Sequence, residues 1–253
     1  MQIAALNRWK AASIHLGLSA VIATTVVAVM LLMWYPPPYF DAMGGKGLLK
    51  ILVGVDVTLG PLLTLIIFNP KKKGLKFDLG VIAALQVAAL VYGVWVTFEV
   101  RPVYTAFVVD RFELVGASDL DRADLEAGPP EYRILSLSGP RLIGVKLPSK
   151  DDPEEWNKLV FSGVAGKDAQ NYPKYYVPYA EIAGAVIKKA KPLPALAKDK
   201  PDGKAAVQAF VAGTGRPESD LGYVPLMGRE SSMTAVIDLR DGQLIGILPI
   251  DPE

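Results

Sequence analysis

Residues 51–68 read ILVGVDVTLGPLLTLIIF, a nearly unbroken apolar run with one acid, Asp56, near its middle. A helix of about 20 such residues spans a hydrocarbon core of roughly 30 Å. Two similar runs flank it. There is no Lys, Arg, Asp or Glu between Lys10 and Asp41, and none between Asp78 and Glu99. These runs account for a hydrophobic share of 51% and a mean hydropathy of +0.29 in a chain of 253 residues. The pattern predicts three transmembrane helices, Ser13–Tyr35, Leu48–Phe68 and Leu79–Phe98, within a membrane region 13–100. A short segment, 1–12, precedes it and one domain, 101–253, follows. Buried helices of a soluble core rarely run so far without charge.

The first run has the basic start of a secretory signal, Arg8 and Lys10. It is longer than a usual signal core, and no clear small-x-small cleavage site follows it before Tyr35-Pro36-Pro37-Pro38, so a retained anchor is expected. The second connection carries Lys71, Lys72, Lys73 and Lys76, whereas the first carries Lys46 and Asp41. The positive-inside rule then puts residues 1–12 and the lysine loop in the cytoplasm and everything after Glu99 outside it. Trp9, Trp34 and Trp95 fall near the ends of spans, where amphipathic rings favour headgroups. In this setting the lysine run faces anionic lipid, and nucleic acid is not expected as a partner. The chain has no cysteine, so the outer domain has no disulfides.

Residues 101–253 hold 19 Lys+Arg and 22 Asp+Glu. They open with VYTAFVVDRFELV, rich in β-branched and aromatic residues, which predicts a strand. Asp151–Glu155 suit the first turn of a helix that continues through Trp156 and Leu159. Further helices are expected over Ala180–Lys189 and over Lys204–Ala212, the latter closed by Gly213. Apolar runs on either side of Asp241-Gly242 predict a hairpin. From Gly116 to Pro148, only loop with one or two short strands is expected. The fold class is α+β: a three-helix transmembrane bundle followed by a periplasmic domain with a mainly antiparallel sheet.

Catalytic apparatus is hard to find. With one histidine, His15, and no cysteine, the usual zinc sites and Ser-His or Cys-His machinery are excluded. His15 is expected to be an interfacial residue at the cytoplasmic end of the first span. GTGRP at Gly213–Pro217 is only a fragment of a dinucleotide fingerprint. Ser231-Ser232 lacks the glycines of a nucleophile elbow. The acids Asp151, Asp152, Glu154 and Glu155 are expected to charge a helix N-terminus rather than hold a cation. No catalytic, cofactor or metal residue is assigned.

Asp56 remains. A carboxylate in hydrocarbon should face protein and find a partner. Asp56, Gly60 and Thr64 share one helix face, and Pro61 frees the carbonyl of Val57. Small-residue rows Gly17, Ala20, Thr24, Ala28 and Gly80, Ala84, Ala88, Tyr92 offer close approach. The expected site is an intramembrane polar cluster of Asp56, Thr24, Thr25, Tyr92, Gly60 and Pro61, with Asp56 as a hydrogen-bonded clamp.

Four segments, RWKAASIHL, WYPPPYF, LLKILVGVDVTLGPLLTLIIFNPKKKGLKFDL and RPVYTAFVVDRFELV, together resemble type IV pilin accessory proteins of the TfpX/TfpZ type. The resemblance covers about residues 8–115. It implies a bacterial inner-membrane protein with a periplasmic domain that supports assembly or function of a type IV pilin. It implies as partners the pilin, the inner-membrane pilus assembly proteins and membrane lipid, and no enzymatic activity. The alternatives are a membrane enzyme modifying pilin or envelope lipid or glycan, and a membrane-bound sensor.

Overall fold

The computed structural model describes residues 7–149, 151–199 and 203–252. The first six residues of the segment expected over 1–12 lie outside the described residues. Three helices, Arg8–Trp34 (span one), Gly45–Ile67 (span two) and Leu75–Glu99 (span three), are long and apolar enough to cross a membrane. Each begins three to five residues earlier than hydropathy alone suggests, because helix starts are set by backbone partners. The Asn7 side chain caps span one, accepting from the Lys10 amide at 2.8 Å.

The chain forms two compact units: the three spans, and a second unit comprising Tyr35–Gly44 with Val100 onward. The connection between spans one and two is thus part of the C-terminal domain. Its anchoring is chemical as well as topological. Tyr35, Ala42 and Met43 are buried, and the Glu230 amide donates to the Ala42 carbonyl at 2.9 Å. Gly228 allows this approach, since a Cβ there would lie 2.5 Å from the Ala42 oxygen.

The domain holds a mixed, mainly antiparallel sheet of β1 (Pro102–Val108), β2 (Arg111–Gly116), β3 (Arg141–Val145), β4 (Tyr176–Pro178), β5 (Lys191–Pro192), β6 (Leu221–Met227), β7 (Ser232–Asp238) and β8 (Leu244–Leu248). The order is β4-β3-β1-β2-β6-β7-β8, with β5 pairing β6. Only β1–β3 and β2–β6 are parallel. The single strand expected from VYTAFVVDRFELV is a hairpin. It turns at Val109, whose φ of 58° is rare for a β-branched residue, and the Asp110 amide donates to the Val108 carbonyl. The segment 116–148 contains β3 and the helix Arg122–Ala127.

Helices Pro153–Val164 and Ala183–Lys189 form where expected. A helix not expected from the sequence, Leu193–Asp199, follows; the one expected over Lys204–Ala212 runs Lys204–Thr214 and is closed by Gly215 in the left-handed region, two residues beyond the expected Gly213. The hairpin at Asp241-Gly242 joins β7 to β8. Gly242 has a φ of 76°, and a Cβ there would meet the Ala183 oxygen at 2.7 Å.

Among the described residues, two apolar clusters fill the domain. In one, Tyr104 packs edge-on against Tyr132 and Tyr176, with its hydroxyl donating to the Tyr132 carbonyl at 2.8 Å. The other joins Leu193, Leu196 and Val207 to Leu221, Tyr223 and Val236. Beside it, fully buried Asp238 accepts from Arg240 Nη2 at 2.6 Å, from the Arg240 amide at 2.8 Å and from Arg216. These bonds, first that of the Arg240 side chain, hold its carboxyl well below the usual range.

Two predictions follow from this packing. Gly228→Val should expel Tyr35–Gly44 from its seat, exposing Met43 to rapid hydrogen exchange; unchanged exchange at residues 35–44 would contradict the seating. Asp238 has a folded pKa below its unfolded value of about 3.9, so its stabilisation is present above about pH 4 and fades as the pH falls further. The difference in thermal midpoint between the natural protein and Asp238→Asn should therefore be largest near neutrality and shrink on acidification below pH 4. A pH-independent difference would rule out the linkage.

Candidate functional site

Span two packs along both other spans, and its buried face is Asp56, Gly60, Pro61 and Thr64. The helix is not uniform there. Val55–Leu59 is a π turn between two α-helical stretches. The cause is local: Pro61 has no N–H, and its ring clashes with the carbonyl four residues back. A π turn pairs each carbonyl with the amide five residues on. For Asp56 that partner would be Pro61, which has nothing to donate.

A side chain from span three supplies the missing donor. Gln86 Nε2 donates to the Asp56 backbone carbonyl at 3.3 Å. Gly60 makes the room, because a Cβ at that position would sit 1.9 Å from the same Nε2. Gly60, Pro61 and Gln86 thus form one lock: the proline orphans a carbonyl, the glycine opens the way, and the amide caps it. On the other side of span two, His15 Nδ1 and Thr64 Oγ1 share a 2.6 Å hydrogen bond, its donor set by the tautomer. Spans one and two are tied by His15–Thr64, spans two and three by Gln86–Asp56.

Asp56 is 5% exposed, and its Oδ1 is buried with no hydrogen-bond partner among the described residues. Two cavities meet it. One, of about 290 Å³, lies between spans two and three and is bordered by Val55, Ala89, Tyr92, Gly93 and Val96. The other, of about 110 Å³, is bordered by His15, Ser19, Gln86 and Leu90.

Of the expected cluster, Gly60 and Pro61 lie with Asp56 on the buried face, and Tyr92 borders the larger cavity but is 65% exposed. Thr24 and Thr25 are turned away, donating to the Ala20 and Val21 carbonyls of their own helix. A hydroxyl in a helix satisfies itself four residues back more readily than it reaches across. The inner face of span one runs through Ala12, Ser19, Ala23 and Met30, and that of span three through Leu75, Ile82 and Thr97, while the rows at Gly17 and Gly80 face outward. Sequence reasoning followed small residues and missed Gln86 and His15. The available signal was polarity: Gln86 is the one amide between Asp78 and Glu99.

In the C-terminal domain the acids over 151–155 are consumed by structure. Asp152 caps its helix by accepting from the Glu155 amide at 3.1 Å, and Glu154 pairs with Lys158. Glu155 accepts from Lys174 and from Tyr175, and these bonds, first that of Lys174, hold its carboxyl low. Arg216 of GTGRP serves Asp238. A groove of about 330 Å³ lies between the Val109 turn and Leu147, Leu159 and Asp168. Burial pushes Glu113 on its wall upward, against the pull of its Arg111 partner at 2.6 Å.

Comparison with known proteins bears on most of the chain. Residues 4–44 match a family described as fimbrial assembly protein FimB. The chain is 32% identical over 206 residues to the fimbrial assembly protein of serogroup I from Dichelobacter nodosus, covering 79% of each. It is equally similar to the serogroup E1 protein of that organism. It is 34% identical over 113 residues to the protein of serogroups C1 and C2, covering 44% of this chain and 86% of that one. No solved structure matches it.

The lock makes a sharp prediction. Gly60→Ala should displace the Gln86 amide and uncap the Asp56 carbonyl, and Gln86→Leu should remove the cap directly. Each should weaken the bundle by about 1–2 kcal/mol, measured by unfolding in detergent micelles. The double variant should cost little more than either single one; additive losses would show that the two residues act separately.

Proposed function

Because the chain belongs to the fimbrial assembly protein family, we propose that it is an inner-membrane accessory protein of type IV pilus assembly, acting by binding the pilin or the assembly machinery. The observation that carries this is the extent of the similarity. At 206 residues it is longer than the three spans together and so includes much of the C-terminal domain. The relatives are named for fimbrial assembly, and that role is proposed here for this chain.

The lysine asymmetry supports an N-terminus in the cytoplasm and a C-terminal domain in the periplasm. A binding role also suits the chemistry. Gln86, His15 and Thr64 join helices inside the bundle, and Asp152, Glu154, Glu155 and Asp238 of the domain cap a helix or pair with lysines and arginines. The exposed Phe161 and Val164 on the helix Pro153–Val164 give the domain an apolar face suited to protein contact.

Deleting the gene should strip the cell surface of most fimbriae and abolish twitching, with the full chain restoring both. Normal fimbriation with altered envelope lipid or glycan would instead favour an enzyme. A reporter active only in the periplasm should be active when fused after residue 252 and silent after Gly74; the reverse would invert the orientation.

A further inference from the structure

The polar lock leaves one group unanswered. Asp56 is the central residue of Gly45–Ile67, roughly 16 Å of helical rise from either end. Its backbone carbonyl is capped by Gln86, yet its carboxylate Oδ1 is buried without a hydrogen-bond partner among the described residues. An ionised carboxylate at that depth is costly unless it is paired. The basic residues of the three spans, Arg8, Lys10, Lys46, Lys50 and Lys76, all lie within six residues of a span's N-terminal end, Lys50 being six residues before Asp56, and the one histidine, His15, engages Thr64 through its Nδ1.

The carboxylate borders a cavity of about 290 Å³ between spans two and three. Its span-three wall is Ala89, Leu90, Tyr92, Gly93, Val96 and Thr97, with Ala89 and Gly93 one helical turn apart. Small residues at that spacing let another helix backbone come close. Span three has the surface to receive one, since only 6% of its apolar window is buried, against 25% for span two.

We propose that this groove is a docking site for a transmembrane helix of a partner protein, which presents an amine or guanidinium to Asp56. Charge complementarity decides the occupant. A lipid acyl chain can fill the groove but cannot answer a carboxylate, and a lipid headgroup amine stays near the bilayer surface, far from the middle of span two. A second copy of this chain would bring one carboxylate toward another. A helix carrying a basic group fills the apolar groove and neutralises the acid together. Asp56 is then a recognition residue, selecting among apolar helices by the one feature that hydrocarbon makes expensive. The proposal deepens the proposed function, and rests on it only in taking the partner to be a fimbrial component.

The test is photocrosslinking of the full chain in native membranes, with a diazirine amino acid at Val96, on the groove wall, or at exposed Val81 as the control. The Val96 probe should mark a transmembrane helix bearing a basic group level with Asp56, and the Val81 probe should not. Asp56→Asn, nearly isosteric, should lower the yield roughly tenfold at unchanged abundance, the size of one interhelical polar contact in a membrane. Asp56→Lys should abolish the adduct, and replacing the partner's basic residue with Asp should restore it. Should Asp56→Asn fail to accumulate, alanine at the partner's basic residue makes the same comparison while leaving this chain intact. An unchanged yield with Asp56→Asn, or adducts only with lipid, with a second copy or with a helix lacking a basic group, would overturn the proposal. Fimbriae lost on deletion but a yield indifferent to Asp56 would leave the assembly role standing without the docking site. Normal fimbriae with an intact charge swap would do the opposite.

Discussion

A backbone carbonyl in hydrocarbon must find a donor, and the three-span bundle is organised by one carbonyl that its own helix cannot serve. Pro61 removes the amide that would close the π turn at Asp56, and the Gln86 side chain supplies the replacement. That bond fixes the rotation and depth of span three against span two. Gly60 follows from it, because the amide occupies the space of a Cβ. The His15–Thr64 bond does the same for span one. A bundle of apolar helices in apolar solvent has little hydrophobic drive to associate, so a few polar contacts and close packing decide which faces meet.

The C-terminal domain rests on ordinary burial and so is built differently. Its sheet is mixed, with two apolar clusters and a buried Asp238 held by two arginines. Tyr35–Gly44, which connects spans one and two, is a filled part of the domain. Residues 4–44, which match the FimB description, therefore join the first span to a piece of domain core. Within that connection Ala42 sits tightly against Gly228, and Tyr35 is buried.

Much of this was legible in the chain. Three charge-free runs determined three membrane-length helices, because no other arrangement satisfies so long an apolar backbone. The face Asp56, Gly60, Thr64 was readable from spacing of four, and the helix at Asp152 and the hairpin at Asp241-Gly242 from capping and turn chemistry. Nearest-neighbour physics sets all of these. The hairpin at Val109 was not readable, since a β-branched residue at positive φ contradicts local preference and is held only by the ladder of β1 and β2.

The faces of spans one and three also lay beyond the sequence. Small-residue rows and polar residues pointed to different sides, and periodicity alone ranks neither. The tertiary structure chose the sides bearing His15 and Gln86, whose side chains reach Thr64 and the orphaned carbonyl of Asp56 on span two. The sequence by itself determined that an acid sits within an apolar run and that its helix bends around a proline. Only the packing of three helices decided that its carbonyl is capped while its carboxylate borders a groove between spans two and three, since a side chain's surroundings are a property of every neighbour at once and not of any one stretch of chain.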